Sequence, residues 1–159
     1  MTDSDSTAPD NAGVHVPPPL IYLTAFAVGM FVQRAVPRTL LPSGEARSAA
    51  VVLGVAWAVL TVWTMTCFRR AHTSVIPVKP TSALVIKGPF RITRNPLYLG
   101  LVLLYAGVSL WLNALWPFVL LLPLIVIIQT YAIAREERYL ERKFGDAYRD
   151  YRRRVRRWI

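Results

Sequence analysis

Two long stretches of this 159-residue chain carry no charged side chain. The first runs from residue 48 to residue 68 and has 21 residues, and the second runs from 95 to 134 and has 40. Because an α-helix rises about 1.5 Å per residue, about 20 residues cross the roughly 30 Å hydrocarbon core of a bilayer. The shorter stretch is long enough for one membrane span and the longer one for two, so the sequence predicts a multi-pass membrane protein.

The expected fold is all-α and polytopic, with about four transmembrane helices and a cytoplasmic, amphipathic helical segment at the C-terminus. Within the longer stretch, Asn113 is a turn former and Pro117 suits the first turn of a new helix, so the chain is expected to fold back there. Apolar side chains recur at helical spacing between residues 148 and 158, which predicts a further helix. The expected spans are residues 18–33, 49–68, 96–112 and 115–134.

The formal net charge of +10 on a chain that is 54% hydrophobic indicates a membrane surface, not nucleic acid, because the basic residues flank the spans. Sixteen of the 19 basic residues lie between 69 and 94 or from Arg135 onward. Four spans place these segments and both termini on one side, which the positive-inside rule assigns to the cytoplasm. The arginines between 152 and 157 are expected to contact lipid headgroups. Arginine outnumbers lysine 16 to 3, as in GC-rich bacteria, so a bacterial inner membrane is expected.

Three segments are expected along the chain. Residues 1–16 are polar and acidic and are predicted to be disordered. Residues 17–79 contain the first two spans, and residues 80–159 contain a basic loop, the last two spans and the C-terminal helices. The two histidines are isolated in sequence and Cys67 is the single cysteine, so neither a metal site nor an internal disulfide is expected.

A basic loop punctuated by glycine and proline leads directly into the third span. Pro96 suits the first position of that helix, with Asn95 as its N-cap. The free N–H groups at a helix N-terminus attract carboxylates and phosphates, and Arg94 would add a charged fork there. An ordinary basic loop followed by an ordinary cap explains the same residues, so the motif alone leaves both interpretations open.

Two adjacent glutamates follow the fourth span. Glu137 shares a helix face with apolar side chains, where a carboxylate is costly unless it meets a partner. Glu136 points about 100° away and shares a face with Gln129. Pairing of both glutamates with nearby arginines at the cytoplasmic surface is the alternative.

Taken together, the two segments resemble the isoprenylcysteine carboxyl methyltransferase family and the related phospholipid methyltransferases. The family loop reads G-P-Y-R, a few residues, then R-H-P-x-Y-x-G, and its tail reads E-E-x-x-L-x-x-x-F-G-x-x-Y-x-x-Y-x-x-x-V. The resemblance covers about residues 80–158. The residues that align with these patterns, with Phe90 in place of the tyrosine and Asn95 in place of the histidine, are Gly88, Pro89, Phe90, Arg91, Arg94, Asn95, Pro96, Leu97, Tyr98, Leu99, Gly100, Glu136, Glu137, Leu140, Phe144, Gly145, Tyr148, Tyr151 and Val155.

The resemblance implies an integral membrane enzyme that uses S-adenosylmethionine, with residues 80–159 as its methyltransferase core. It implies a lipophilic small-molecule or prenylated acceptor, with methylation of a carboxylate favoured and of an amine possible. Arg94 and Glu137 are the candidate catalytic residues. The candidate cofactor-binding residues are Lys87, Gly88, Pro89, Arg91, Arg94, Asn95, Pro96, Tyr98, Gly100, Gln129, Glu136 and Glu137.

One departure from the family pattern is Asn95, which stands where the family has histidine. Asparagine offers a neutral donor and acceptor but does not titrate. This departure favours one alternative, a non-catalytic membrane scaffold or transport component. A sterol-reductase-like enzyme using NADPH is a second alternative, although this chain is short for it. Binding of S-adenosylhomocysteine or of NADPH distinguishes the three.

Overall fold

The structure is a computed structural model that describes residues 12–73 and 82–159. All elements of regular secondary structure in these two ranges are helices, joined by turns and loops. A turn of 3-10 helix precedes α3, and a turn of π-helix joins α4 to α5. The elements are α1 (Pro18–Ala35), α2 (Ser43–Arg70), the 3-10 turn (Gly88–Arg91), α3 (Pro96–Trp111), α4 (Leu115–Ile128), the π turn (Gln129–Ile133), α5 (Ala134–Phe144) and α6 (Asp146–Arg154).

Two helices in the described part of the chain are long and apolar enough to cross a membrane. They are α2, with 28 residues, and the continuous 30-residue helix Leu115–Phe144 formed by α4, the π turn and α5. Only 6% of the most apolar 18-residue stretch of α2 is buried inside the protein. This helix therefore presents apolar side chains outward. Helix α3 is also apolar but shorter, with 16 residues. The all-α prediction is confirmed for the described residues, and two of the four expected spans meet the length and composition of a membrane helix.

Two glycines allow neighbouring helices to approach each other closely. A Cβ atom on Gly29 of α1 would lie 2.6 Å from the Cα atom of Pro117 in α4. A Cβ on Gly100 of α3 would lie 3.2 Å from the Thr61 hydroxyl of α2. These contacts set α1 against α4 and α2 against α3, which is the small-residue packing typical of membrane helices.

The turn between α3 and α4 lies where the sequence predicted it. Asn113 adopts a left-handed conformation with φ of 48°, which asparagine tolerates better than most residues. Its Oδ1 accepts hydrogen bonds from the backbone N–H groups of Leu40 and Leu41, at 2.9 and 3.2 Å. The turn is thereby tied to the segment that connects α1 to α2.

Both ends of the described chain differ from their predicted conformations. Residues 12–16 belong to the segment that the sequence predicts to be disordered, yet Ala12 and Val14 are buried in the core, and Arg135 Nη1 donates to the Gly13 carbonyl at 2.8 Å. The C-terminal helix ends at Arg154, and Val155 is extended, whereas the apolar spacing predicted helix as far as residue 158. The remainder of the predicted disordered segment, 1–11, and the boundary at residues 79 and 80 lie outside the described residues.

Candidate active site

A cavity of about 550 Å³ lies between α2, α3 and the N-terminal segment. Its walls are mostly apolar, and polar side chains gather where α3 begins. The residues that line it are Val14, Pro17, Pro18, Pro19, Trp57, Thr61, Met65, Phe68, Phe90, Arg94, Asn95, Pro96, Leu97, Tyr98, Leu101, Leu104 and Glu136. A cavity of this size, with few polar groups at one end, is typical of a small-molecule site.

The loop before α3 is held by the chain's own C-terminal residues, 155–159, which we term the C-terminal strap. The backbone N–H of Arg94 donates to the carbonyl of Arg156 at 3.0 Å. The Thr93 hydroxyl and the Asn95 side-chain amide both donate to the carbonyl of Arg157, each at 3.0 Å. Asn95 therefore occupies the N-cap position of α3 without the predicted side-chain cap, since its amide is directed to the strap.

A buried ion-pair cluster joins this loop to α5 and to the strap. Arg94 Nη1 lies 3.1 Å from Glu137 Oε1, and the two side chains are 9% and 8% exposed. Arg157 donates two hydrogen bonds to the same carboxylate, from Nε to Oε1 at 3.1 Å and from Nη2 to Oε2 at 2.5 Å. Two guanidinium groups thus compensate one buried carboxylate, which would be costly to bury alone.

Arg94 keeps unused hydrogen-bonding capacity despite this pairing. Its Nε and Nη1 atoms are buried and donate no hydrogen bond to any residue that the structure describes. Glu137 is near Nη1 in distance, but the angle between them does not make a hydrogen bond. Buried donors in native proteins are nearly always paired. The Nε donor, which has no partner among the described residues, and the Nη1 donor, which has only the ion pair with Glu137, therefore indicate a place for a ligand acceptor beside the cavity.

Tyr148 of α6 packs beside this cluster and is almost completely buried. Burial first, and then the negative charge of Glu137, raise the pKa of Tyr148 to about 12, while the positive charge of Arg94 opposes the shift. The phenol therefore stays neutral at physiological pH and adds no charge beside Arg94.

Glu136 faces the cavity, whereas Glu137 is turned into the ion-pair cluster. The Tyr98 hydroxyl donates to Glu136 Oε1 at 2.6 Å. Gln129, at the start of the π turn, accepts a hydrogen bond from the Trp158 indole at 2.9 Å. The strap is thus fixed to the π turn on one side and to the start of α3 on the other.

The predicted site residues divide between the cavity wall and its surroundings. Lys87 and Arg91 are exposed. Gly88 has a φ of 63°, and a Cβ there would lie 2.6 Å from Cys67 Sγ; Gly88 and Gly100 thus serve helix packing. Of the predicted residues, those on the wall are Arg94, Asn95, Pro96, Tyr98 and Glu136. Those that the structure places elsewhere are Lys87, Gly88, Pro89, Arg91, Gly100, Gln129 and Glu137.

The main residue missed by the sequence reasoning is Arg157, which was expected to contact lipid headgroups. It lies in a run of five arginines, and nothing in the spacing separates it from its exposed neighbours. Thr93 was missed as well, although it is almost fully buried and bonded to the strap. No group of three or more potential metal ligands occurs in residues 12–73 and 82–159.

Comparison with known proteins places these features in a family. The family model described as phospholipid methyltransferase matches residues 46–147. An uncharacterized protein of Haemophilus influenzae is 44% identical over 63 residues, which are 40% of this chain and the whole of that protein. No solved structure matches this chain.

The family match covers well over half of the chain. It includes nearly all of α2, the loop with Arg94, and the two glutamates of α5. The loop and the glutamates belong to the resemblance in the sequence, whereas its last residues, Tyr148, Tyr151 and Val155, lie beyond the match. The family resemblance is confirmed. The chain belongs to the phospholipid methyltransferase family.

Proposed function

We propose that this protein is an integral membrane methyltransferase that transfers a methyl group from S-adenosylmethionine to a lipid-like acceptor. The family supports methyl transfer. The observation that carries the proposal is the buried Arg94 guanidinium at the polar end of an apolar cavity, whose Nε and Nη1 make no hydrogen bond within the described residues and whose Nη1 has only the ion pair with Glu137. This arrangement suits the recognition of one anionic group beside a hydrophobic molecule.

The residues present fit this cofactor. When bound, S-adenosylmethionine supplies a methyl group activated by a positively charged sulfur. Arg94 and the N-terminus of α3 would hold its carboxylate, because both offer donors to an anion. Glu136, a carboxylate on the cavity wall, would face a positively charged group of the cofactor. The neutral phenol of Tyr148 completes the surroundings of Arg94.

Positioning and exclusion of water are the main tasks left to the protein, since the methyl group is already activated. The apolar faces of α2 and α3 keep water from the cavity and receive the apolar part of the acceptor laterally from the bilayer. A carboxylate acceptor needs no base. An amine must first lose a proton, which Glu136 would accept while Tyr98 orients it.

The acceptor class has two candidates. The family resemblance favours a carboxylate, such as an isoprenoid acid or a prenylated thioether that ends in one. Glu136 is the observation that favours an amine, since two carboxylates at the same end of an apolar cavity repel each other. Transfer of a labelled methyl group to a total lipid extract separates them, because a methyl ester is base-labile and an N-methyl product is base-stable.

The proposed topology follows the expected one. Four helices cross the membrane, and the loop that contains residues 69–94 lies in the cytoplasm with both termini. This side holds most of the basic residues. It also gives the polar end of the cavity access to a water-soluble cofactor. A bacterial inner membrane remains the proposed location.

Calorimetry in detergent tests the proposal directly. We expect the protein to bind S-adenosylhomocysteine, and we expect Arg94→Ala to weaken that binding by about tenfold or more, because hydrogen bonds to charged groups are strong. Arg91→Ala is the matched control, since Arg91 is exposed and three residues away. Wild-type protein that binds NADPH but not S-adenosylhomocysteine would identify the reductase alternative. Binding of neither would favour the non-catalytic scaffold.

A further inference from the structure

The C-terminal strap contacts the loop of Arg94 through its backbone and Glu137 through one side chain. The carbonyls of Arg156 and Arg157 accept three hydrogen bonds from residues 93–95. The Arg157 side chain donates two hydrogen bonds to the carboxylate of Glu137. The exposed fraction of the Arg157 side chain is 30%, against 79% for Arg153 on α6.

Glu137 has two possible cationic partners, and they are used unequally. Arg157 forms two well-aligned hydrogen bonds to both carboxylate oxygens. Arg94 is close to the same carboxylate but not hydrogen-bonded through Nε or Nη1. A buried carboxylate needs hydrogen-bond donors, and at present Arg157 supplies them. Arg94 is therefore left with donors to spare.

We infer that Arg157 is a positioning residue, which holds Glu137 and so keeps the donors of Arg94 available for the anionic group of the methyl donor. This inference rests on the proposed function, since it concerns the same site. Without Arg157, the buried carboxylate of Glu137 takes Arg94 as its remaining charged partner. Arg94, which already lies 3.1 Å from Glu137, then becomes its hydrogen-bond donor as well as its ion-pair partner, and the incoming anion must displace that contact.

The charges of the cluster agree with this assignment. Arg94 and Arg157 carry two positive charges against the single negative charge of Glu137, so the cluster has a surplus of one positive charge. Loss of Arg157 removes that surplus, and the three-residue cluster becomes neutral before a ligand arrives. Arg157 thus acts on an anionic ligand without touching it.

A double-mutant cycle tests the inference. Arg157→Ala is expected to weaken the binding of S-adenosylhomocysteine by about tenfold to a hundredfold, the range of hydrogen bonds to charged groups. Adding Glu137→Gln to Arg157→Ala is expected to recover most of that loss, because a neutral amide does not hold Arg94. A role in stability alone predicts additive losses instead. Arg153→Ala, which removes the same charge from an exposed position, is the matched control.

A second measurement covers the case in which Arg157→Ala folds poorly. Ethylguanidinium added to this variant is expected to occupy the vacated position beside Glu137 and restore binding. The inference is overturned if Arg157→Ala binds as wild type does, if the double variant shows additive losses, or if neither Glu137→Gln nor ethylguanidinium restores binding. Wild-type protein that fails to bind S-adenosylhomocysteine overturns the proposed function itself. This outcome is distinguishable from failure of the inference, which concerns only the variants.

Discussion

At the scale of single residues, Asn95 shows how a family position is used in this chain. Its side-chain amide donates to the Arg157 carbonyl, and its backbone N–H donates to the Thr93 hydroxyl at 3.1 Å. The side-chain bond needs only an N–H donor, so the titration that a histidine would provide is not required for this contact. Asn95 fastens the strap to the start of α3.

Replacing Asn95 tests this contact. Asn95→Leu keeps the approximate size but removes the donor, and we expect it to lower the free energy of unfolding by about 1 kcal/mol. Asn95→His keeps a ring N–H donor and is expected to lose less. Thermal unfolding of the purified protein in detergent measures both variants, and an equal loss in the two would contradict the assignment.

Gly88 gives a second prediction at this scale. Gly88→Ala places a Cβ against Cys67 and Trp63 in a backbone conformation with positive φ, so strain and a clash both apply. We expect a loss of more than about 2 kcal/mol in unfolding free energy. Gly145→Ala is the control, because Gly145 also has positive φ but open space around it, so it adds backbone strain without a clash and should cost less than Gly88→Ala. Equal effects would show that the contact with α2 is unimportant.

At the scale of elements, the π turn decides which way α5 faces. A π turn holds one residue more than the equivalent α-helical turn, and such turns are often found at functional sites. One residue corresponds to about 100° of rotation on an α-helix. The π turn therefore contributes to placing Glu137 towards Arg94 and Glu136 towards the cavity.

Deleting Thr130 tests the role of the π turn. Thr130 is exposed and its hydroxyl bonds only to the preceding turn among the described residues, so its loss is expected to convert the π turn to α-helix. Five residues of π turn and four residues of α-helix cover nearly the same rotation, so α5 is expected to keep its direction and the deletion variant to bind S-adenosylhomocysteine. Thr130→Ala keeps the register and should bind normally. Loss of binding in the deletion variant, with normal binding by Thr130→Ala, would refute the argument.

The helices were predictable where local signals mark their ends. Pro18 and Pro96 start α1 and α3, and Asn113 marks the turn before α4; the observed limits of these helices fall close to those expected. The strap was not predictable, because apolar residues spaced by three and four fit a continued helix equally well. The extended conformation of the strap is stabilised by hydrogen bonds from residues 93–95, which are distant in sequence. The spacing of residues within the strap gives no indication of these bonds.

At the scale of the whole molecule, the proposed four-span topology places the site at the cytoplasmic face. Cysteine labelling in cells tests it. With Cys67 replaced by alanine, a Leu112→Cys variant in the exposed turn between α3 and α4 should react with a membrane-impermeant maleimide from outside. An Arg153→Cys variant should react only after permeabilisation. Labelling of both from the same side would rule out the topology.

The cavity walls have a consequence for how the proposed enzyme meets its acceptor. The walls are built largely from α2 and α3. The apolar surface of α2 is mostly exposed on the outside of the protein. The acceptor would therefore arrive by diffusion within the plane of the membrane. Turnover would follow the mole fraction of acceptor among the lipids and not its amount per volume of solution. Diluting a fixed quantity of acceptor with inert lipid should slow the reaction, even though every bulk concentration in the tube stays the same.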